Sequence, residues 1–376
     1  MSREFDKPLM EPAQKTTAVL SQQESELLQI GAQVCVVRDG VTVMDFALGR
    51  AGTDLPMTTE TLMLWLSSSK PVAAIAALQL VEQGRLSLDD FVSHHIPEFA
   101  AAGKQDVTIR HLLTHTGGFR FVDIGEATTL WNDILRRLCA APLERNWVPG
   151  QRAGYHPYTS WYVLGEVVQR ISSTSFSDYV RREIFLPLGM DDCWIGMPAD
   201  VRDRYGSQLA TLVNTEKPGA GPHPLSLPEG VVRCVPGAGG IGPMRQLVRL
   251  YWTLAADGEL DGRRILSAES VAQMSARSRV GMFDETFKHT LDWGLGVIPN
   301  NRRYGIETAP YGYGRHAGDG AFGHSGSQSS AAFADPENGL AVAVVLNGTC
   351  GERRHQPRIR AVLEAIYEDL GVTRAD

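Results

Sequence analysis

Residues 65–84 read WLSSSKPVAAIAALQLVEQG, and this segment marks the centre of the predicted structure. Pro71 stands where a helix begins, because proline lacks an N–H group that a first turn leaves unbonded anyway. Gly84 is typical of the residue just after a helix end. Positions 72–78 are all apolar, so the helix has no polar face there. The sequence therefore predicts a buried central helix from Pro71 to Gln83.

Ser67 and Lys70 lie one helical turn apart at the start of this helix, so a hydroxyl and an amine share one face. Burial lowers the pKa of a lysine, and a neutral amine can take a proton from a hydroxyl. Taken alone, the Ser-x-x-Lys pattern favours a plainer interpretation, in which the serines cap the helix and Lys70 reaches solvent. Only six of the 36 basic residues are lysines, and Lys70 alone follows a serine by three positions. The pattern needs partners elsewhere in the chain.

The composition of the 376 residues, 43% apolar and 21% charged, is typical of a globular protein of about two domains. A net charge of −7 argues against nucleic acid and anionic membranes as partners. No apolar run is long enough to cross a membrane, and the opening MSREFDKPLMEPAQ lacks the apolar core of a secretory signal. Five scattered cysteines indicate free thiols in a reducing cytoplasm rather than a metal site. We therefore expect a cytoplasmic protein without metal or cofactor.

Strand patterns cluster at the two ends of the chain. Two β-rich runs flank Asp39-Gly40, and two more flank residues 335–339, so that each pair predicts a hairpin. Helical patterns lie between them and at the end of the chain, at residues 109–113, 129–140, 160–171, 176–185, 244–257 and 357–370. This order predicts an α+β fold whose antiparallel sheet is built from both termini. Residues 1–80 and 235–376 would form the sheet domain, and residues 81–234 an inserted, mainly helical domain.

A serine–lysine hydrolase also needs a second proton donor and N–H groups that hold the oxyanion. Two segments offer them: VPGQRAGYHPY at residues 148–158 and GHSGS at residues 323–327. The second nearly spells the G-x-S-x-G nucleophile motif around Ser325, which would suggest a Ser-His-Asp enzyme. Its fifth residue is Ser327 rather than glycine, and a strand pattern follows where that motif needs a helix. Both features argue against Ser325 as a nucleophile of that type.

Together these segments resemble the serine β-lactamase/penicillin-binding-protein superfamily, and within it the class C β-lactamase-like enzymes and above all the family VIII carboxylesterases. The similarity runs from roughly residue 20 to residue 370, in eight blocks that keep the family's order. They are VVRDG, Ser67-x-x-Lys70, VTIRHLLTHTGG at 107–118, PGQRAGYHPYTSWYVLGEVV at 149–168, LPLGMDD at 186–192, PGAGG at 236–240, LDGRRILS at 260–267 and GHSGSQSSAAFADPENGLAVAVVLN at 323–347. The resemblance implies a β-lactamase/transpeptidase-like fold.

The resemblance also implies roles for three residues. Ser67 would be the acylated nucleophile, and Lys70 its general base. Tyr155 would return a proton to the leaving group, with Tyr158 as the rival for that role. His115, in a His-Thr-Gly segment that precedes this tyrosine motif, is expected to be structural.

The third motif of the family corresponds to His324-Ser325-Gly326, expected on an edge strand beside the active site. The oxyanion hole would combine the N–H group of Ser67 with that of Ser327 or Gln328. Two departures matter here. Pro157 stands where the family usually has asparagine, and His324 replaces the lysine that holds a substrate carboxylate. Both changes favour an uncharged ester or amide over a β-lactam or an acyl-D-Ala-D-Ala peptide.

Four functions remain open at this point. The first is hydrolysis of a small-molecule carboxylic ester through an acyl-serine. The second is transfer of the same acyl group to an alcohol or amine of a biosynthetic pathway. Weak β-lactamase or D-peptidase activity is the third, and a catalytically silent binding protein is the fourth. The oligomeric state is open as well, and four aromatic residues could line the pocket or belong to the core: Phe119, Phe121, Trp161 and Tyr313.

Overall fold

The computed structural model describes residues 13–52, 54–217, 219–305 and 312–374, so most of the opening segment lies outside it. The helices are α1 Gln14–Ser25, α2 Lys70–Glu82, α3 Val92–His95, α4 Ile109–Leu113, α5 Trp131–Ala140, α6 Thr159–Ser172, α7 Phe176–Val180, α8 Ala199–Tyr205, α9 Pro228–Val232, α10 Met244–Ala255, α11 Ala268–Ser275 and α12 Glu352–Asp369. Within the described residues, no helix is both long and apolar enough to cross a membrane.

Among the described residues, the longer strands lie toward the two ends of the chain, and short strands of two or three residues lie between them. The strands are β1 Gly31–Arg38, β2 Val41–Gly49, β3 Met63–Leu66, β4 Trp194–Ile195, β5 Gly240–Gly242, β6 Glu259–Leu260, β7 Arg263–Arg264, β8 Phe283–Asp284, β9 His289–Thr290, β10 Ile298–Pro299, β11 Phe322–Ser325, β12 Ser330–Asp335 and β13 Leu340–Leu346. Both predicted hairpins form, β1 with β2 and β12 with β13.

One antiparallel sheet joins the two ends of the chain in the order β10-β11-β12-β13-β1-β2. β1 pairs with β13 in a register that sets Val34 opposite Val344 and Val36 opposite Val342. Since successive side chains of a strand point to opposite faces, the sheet separates two apolar cores. Val34 and Val36 belong to the core beneath α12, whereas Cys35 and Val37 belong to the larger core around α2. The prediction of an α+β fold with a sheet from both termini is confirmed.

The central helix of the prediction is α2, which begins at Lys70 and ends at Glu82. Every residue from Lys70 to Leu80 is buried, as expected of a helix without a polar face. A 3₁₀ turn, Ser67–Ser69, leads directly into it from β3. The predicted start is therefore late by one residue, and the serines form a turn of their own. The division into domains at residues 81 and 234 stays a prediction.

Two expectations about the carboxyl-terminal third are wrong in detail. The last helix begins at Glu352 rather than Pro357, so the proline lies inside it. The buried side chain of Arg358 anchors this end of α12 by donating to the carbonyls of Leu28 and Gln328. The strand that carries His324 is not the edge of the sheet, because the two-residue strand β10 pairs with its first half. Pro299 suits that outer position because proline has no N–H group, and an edge strand leaves some of its N–H groups without a partner in the sheet.

Candidate active site

The turn at Ser67 is held in place by its own serines. Ser69 Oγ donates to the carbonyl of Leu66 at 2.6 Å and accepts from the N–H group of Gly240 at 2.8 Å, which ties the turn to β5. On the other side, Ser68 Oγ donates to the carbonyl of His324 at 3.1 Å and lies 2.9 Å from Ser330 Oγ. The turn is therefore fixed between β5 and the strand pair β11–β12.

Leu66, just before the turn, has a φ of 51°, which L-residues with side chains rarely adopt. Its conformation lets the chain leave β3 and turn sharply into the 3₁₀ turn. As a result Ser67 is partly exposed at a bend, while both its neighbours in the chain are buried. Its hydroxyl faces the cavity described below.

Lys70 Nζ lies 3.0 Å from Ser67 Oγ, as one helical turn allows. Two backbone carbonyls accept hydrogen bonds from the same nitrogen, that of Pro157 at 3.0 Å and that of Gly237 at 2.8 Å. The side chain is 0% exposed. Burial holds the pKa of Lys70 well below its ordinary value, and no carboxylate among the residues that the structure describes opposes this effect.

Tyr155 reaches Ser67 from a different segment of the chain, and its hydroxyl donates to Ser67 Oγ at 2.7 Å. Burial raises the pKa of this phenol, so Tyr155 keeps its proton and acts as a donor. Lys70 Nζ lies 4.9 Å from the centre of the tyrosine ring. The hydroxyl of Ser67 is thus within hydrogen-bond distance of both an amine and a phenol. This arrangement can remove a proton from the serine and supply one to a leaving group.

His324 lies on β11 at the wall of the cavity and is 2% exposed. Its Nδ1 is 2.8 Å from the carbonyl of Ser325, and because a carbonyl can only accept, Nδ1 carries the hydrogen. Burial lowers the pKa of His324 to about 3, with the nearby Lys70 as a smaller cause. The imidazole is therefore neutral at physiological pH and offers no positive charge to a substrate carboxylate.

These groups meet in a cavity of about 310 Å³. Apolar side chains form much of its wall, and polar side chains gather at the nucleophile and at the mouth. The apolar group is Leu66, Pro157, Ala238, Phe287 and Ile298, and the polar group is Ser67, Tyr155, Tyr158, His223, Thr286, His324, Ser325, Ser327 and Glu352. Glu352, at the first turn of α12, is the one acidic residue among the described residues that line it.

The predicted site residues come together to different degrees. Ser67, Tyr155, Tyr158, His324 and Ser327 all line the cavity, with Lys70 directly beneath them. Two further predictions, Gly326 and Gln328, are not among the lining residues. Gly326 donates to the carbonyl of Ser330, and the side chain of Gln328 accepts from Gly351.

The sequence interpretation missed several residues of the cavity wall. Phe287 and Thr286 come from the segment after β8, Ile298 from β10, His223 from a loop and Glu352 from α12. Neither spacing nor periodicity marks any of them, because each is brought to the cavity by a long-range contact. Glu352 had one usable signal, an acidic residue suited to the first turn of a helix, but the helix was predicted to begin later.

Other residues singled out in the sequence lie elsewhere. Three of the four aromatic residues are buried in the cores: Phe119, Trp161 and Tyr313, whereas Phe121 is 69% exposed. His115 is buried, and its Nδ1 accepts from the N–H group of His156 at 3.0 Å, which agrees with a structural role.

The chain is similar to known proteins in sequence and in fold. The Beta-lactamase family matches residues 20–367. Esterase EstB of Burkholderia gladioli is 29% identical over 411 residues, covering 94% of this chain and 95% of that protein. A crystal structure of a family VIII carboxylesterase superposes with a TM-score of 0.80 at 26% identity, covering 96% and 99% of the two chains. EstCE1, described as a hydrolase with promiscuous acyltransferase activity, gives a TM-score of 0.77 at 25% identity, with 94% and 98% covered.

Proposed function

The chain belongs to the beta-lactamase family, and on that premise we propose that it is a serine hydrolase which cleaves uncharged carboxylic esters of small molecules. The observation that carries the proposal is the position of Ser67 Oγ, 3.0 Å from the amine of Lys70 and 2.7 Å from the hydroxyl of Tyr155. EstB and the family VIII carboxylesterase are esterases by name, and both align with nearly the whole chain.

Lys70 is suited to act as the general base because of how its nitrogen is bonded. A neutral amine has two N–H groups and one lone pair. The carbonyls of Pro157 and Gly237 accept the two N–H groups, so the lone pair of a neutral Lys70 is left facing Ser67 Oγ. Pro157 replaces the usual asparagine of the family motif. Its side chain cannot form a hydrogen bond with Lys70, but its backbone carbonyl does.

The proposed reaction moves one proton along this line of groups. Lys70 takes the proton of Ser67 as Ser67 Oγ attacks the ester carbonyl, and the N–H groups of Ser67 and Ser327 hold the oxyanion. When the carbon–oxygen bond to the alcohol breaks, Tyr155 protonates the leaving alkoxide and is reprotonated from Lys70. Water then attacks the acyl-serine, and the same groups act in reverse to release the acid.

The charges of the cavity support an uncharged substrate. His324 is neutral, and the lining residues that the structure describes include no lysine or arginine. A carboxylate, which β-lactams and acyl-D-Ala-D-Ala peptides carry, would meet the negative charge of Glu352 instead. The apolar wall suits a short acyl or alcohol group.

An ester panel tests the proposal directly. We expect the protein to hydrolyse short-chain nitrophenyl esters, and Ser67→Ala to lower kcat/KM by at least about 10³-fold. Intact-mass spectrometry should show an acyl adduct on the wild type and on Ser325→Ala, and none on Ser67→Ala. Full activity in Ser67→Ala, or an adduct that depends on Ser325, would overturn the proposal.

The same acyl-serine allows a second function, transfer of the acyl group to an alcohol. The structural similarity to EstCE1 favours it, because that hydrolase is described as a promiscuous acyltransferase. Adding small alcohols to the nitrophenyl ester assay separates the two: a transferase forms the new ester at the expense of the acid. A chromogenic cephalosporin in the same panel tests β-lactamase activity.

We also propose the cytoplasm as the location of the protein. All five cysteines are free thiols, and four of them are buried: Cys35, Cys139, Cys193 and Cys350. Unpaired cysteines are usual in a reducing compartment.

A further inference from the structure

A wholly buried ion pair lies behind Tyr155, outside the motifs of the sequence. Asp284, at the end of β8, and Arg279 are 3.0 Å apart, with their side chains 0% and 1% exposed. The guanidinium of Arg279 also donates to the carbonyl of Thr114 at 3.1 Å and lies 5.1 Å from the ring centre of Trp293. Burying two charges costs free energy unless the pair is well bonded. The presence of this pair therefore suggests a role beyond stability.

The carboxylate of Asp284 holds the backbone of Tyr155. Its Oδ1 accepts three N–H groups: that of Tyr155 at 3.1 Å, that of Thr286 at 2.9 Å and that of Phe287 at 3.0 Å. The hydroxyl of Thr286 in turn donates to the carbonyl of Tyr155 at 3.0 Å. Both backbone polar groups of Tyr155 are therefore bonded to the segment that Asp284 organises.

The same segment holds the ring of Tyr155. Phe287 packs against it with ring centres 4.7 Å apart, and Trp293 lies on another side at 5.8 Å. Phe287 and Thr286 also line the cavity. The direction of the Tyr155 hydroxyl, and the shape of the wall beside it, thus depend on where the Asp284 carboxylate stands.

We infer that Asp284 and Arg279 are positioning residues for the proton transfer from Tyr155: Arg279 orients the Asp284 carboxylate, which fixes Tyr155 and the Phe287 wall relative to Ser67. The inference rests on the proposed function. It predicts a specific kinetic defect: a displaced tyrosine should slow the cleavage of esters whose leaving group needs a proton more than the cleavage of other esters. Nitrophenolate is a stable anion and leaves without protonation, whereas an alkoxide does not.

The experiment compares two esters of the same acid, one with a nitrophenyl and one with an ethyl leaving group. Asp284→Asn strands the charge of Arg279 and disturbs the acceptor of the Tyr155 N–H group. We expect it to lower kcat/KM for the ethyl ester about 30-fold or more, somewhat less than the roughly 10²–10⁴-fold that complete loss of general acid catalysis would cost, and for the nitrophenyl ester only a few-fold. kcat/KM is the right quantity because it covers every step through acylation.

Asp335→Asn is the matched control. Asp335 is also 0% exposed, and its carboxylate also accepts three hydrogen bonds, from Gly318, Asn338 and Tyr367, none of which lines the cavity. The Asp335→Asn substitution should change kcat/KM for both esters by the same factor. A merely structural role for Asp284 predicts that result for Asp284→Asn as well, and equal losses on the two esters would overturn the inference.

A double variant covers the case in which Asp284→Asn does not fold. Arg279→Met with Asp284→Ala leaves no stranded charge, and replacing a buried pair by apolar residues is often tolerated. It still lacks the acceptor of the Tyr155 N–H group, so the selective loss on the ethyl ester should persist. If the ratio of kcat/KM for the two esters in the double variant equals that of the wild type, the positioning role is refuted. A wild type inactive on both esters would refute the proposed function instead.

Discussion

The hydroxyl of Tyr155 donates a 2.7 Å hydrogen bond to Ser67 Oγ, across 88 residues of sequence. Lys70 approaches the same oxygen from its own helix, so the nucleophile is bonded on two sides by groups of opposite function. Burial disfavours the charged form of both groups, so it lowers the pKa of Lys70 well below its ordinary value and raises the pKa of Tyr155. The predictions below follow from this arrangement and from the charges of the cavity around it.

The two tyrosines of the cavity should differ sharply on substitution. Tyr155→Phe removes the proton donor and should lower kcat/KM for an alkyl ester by about 10²–10⁴-fold. Tyr158→Phe removes a hydroxyl from the same wall and should change it only a few-fold. Steady-state kinetics on both variants show which tyrosine is the proton donor. A larger loss in Tyr158→Phe than in Tyr155→Phe would assign that role to Tyr158.

The activity should depend on pH through Lys70. Only its neutral form accepts the proton of Ser67, so kcat/KM should rise with pH as Lys70 deprotonates and then level off. Since burial lowers the pKa of Lys70, the midpoint should lie well below that of an ordinary lysine. A pH profile with a neutral ester measures it, and a midpoint near 10 would contradict the assignment.

Lys70→Arg is a complementary test of the same base. A guanidinium keeps its proton throughout the accessible pH range, so it cannot accept one from Ser67. We expect kcat/KM to fall about 10²–10⁴-fold at every pH, with circular dichroism unchanged. Substantial activity in this variant would mean that Tyr155 or another group serves as the base.

Glu352 should discriminate against anionic substrates. Glu352→Gln removes the negative charge at the cavity mouth and should raise kcat/KM for a carboxylate-bearing ester about two- to five-fold relative to a neutral one, as expected for an exposed charge. High salt should reduce the difference. Glu368→Gln, farther along α12, is the control and should leave the ratio of the two esters as it is. A Glu352→Gln ratio equal to that of the control would show that the carboxylate does not act on the substrate.

Gly326 should tolerate no side chain. A Cβ there would stand 2.3 Å from the carbonyl of Trp65 and 2.5 Å from Ser330 Oγ, so the strand end must shift away from the Ser67 turn. Overpacking of this kind costs about 1–3 kcal/mol, and Gly326→Ala should lower both the melting temperature and the esterase activity. Gly221→Ala, where a Cβ meets nothing within 4 Å, should leave both unchanged.

Much of the fold follows from local patterns. The apolar run after Lys70 predicted the central helix, and Asp39-Gly40 predicted the first hairpin, because both signals depend on residues close in sequence. The start of α12 did not follow, since Glu352 and its neighbours carry no apolar periodicity. There the contacts of Arg358 with distant carbonyls stabilise the helix instead.

The site divides in the same way. Ser67 and Lys70 could be found because one helical turn joins them. The carbonyl of Pro157 could not, because a backbone group leaves no mark on the sequence, and the residue itself suggested only a missing asparagine. Asp284 and Arg279 were missed because Asp284 bonds to the backbone of Tyr155, and no sequence spacing indicates such a contact.

The order of the sheet has a consequence for the nascent chain. β1 and β2 leave the ribosome long before β13, yet β1 lies between β2 and β13, and both Ser67 and Glu352 line the cavity. At typical rates of synthesis, tens of seconds separate these elements. During that interval the β1 edge, rich in valine, stays open to other chains. We therefore expect the newly made protein to be inactive until α12 has emerged from the ribosome.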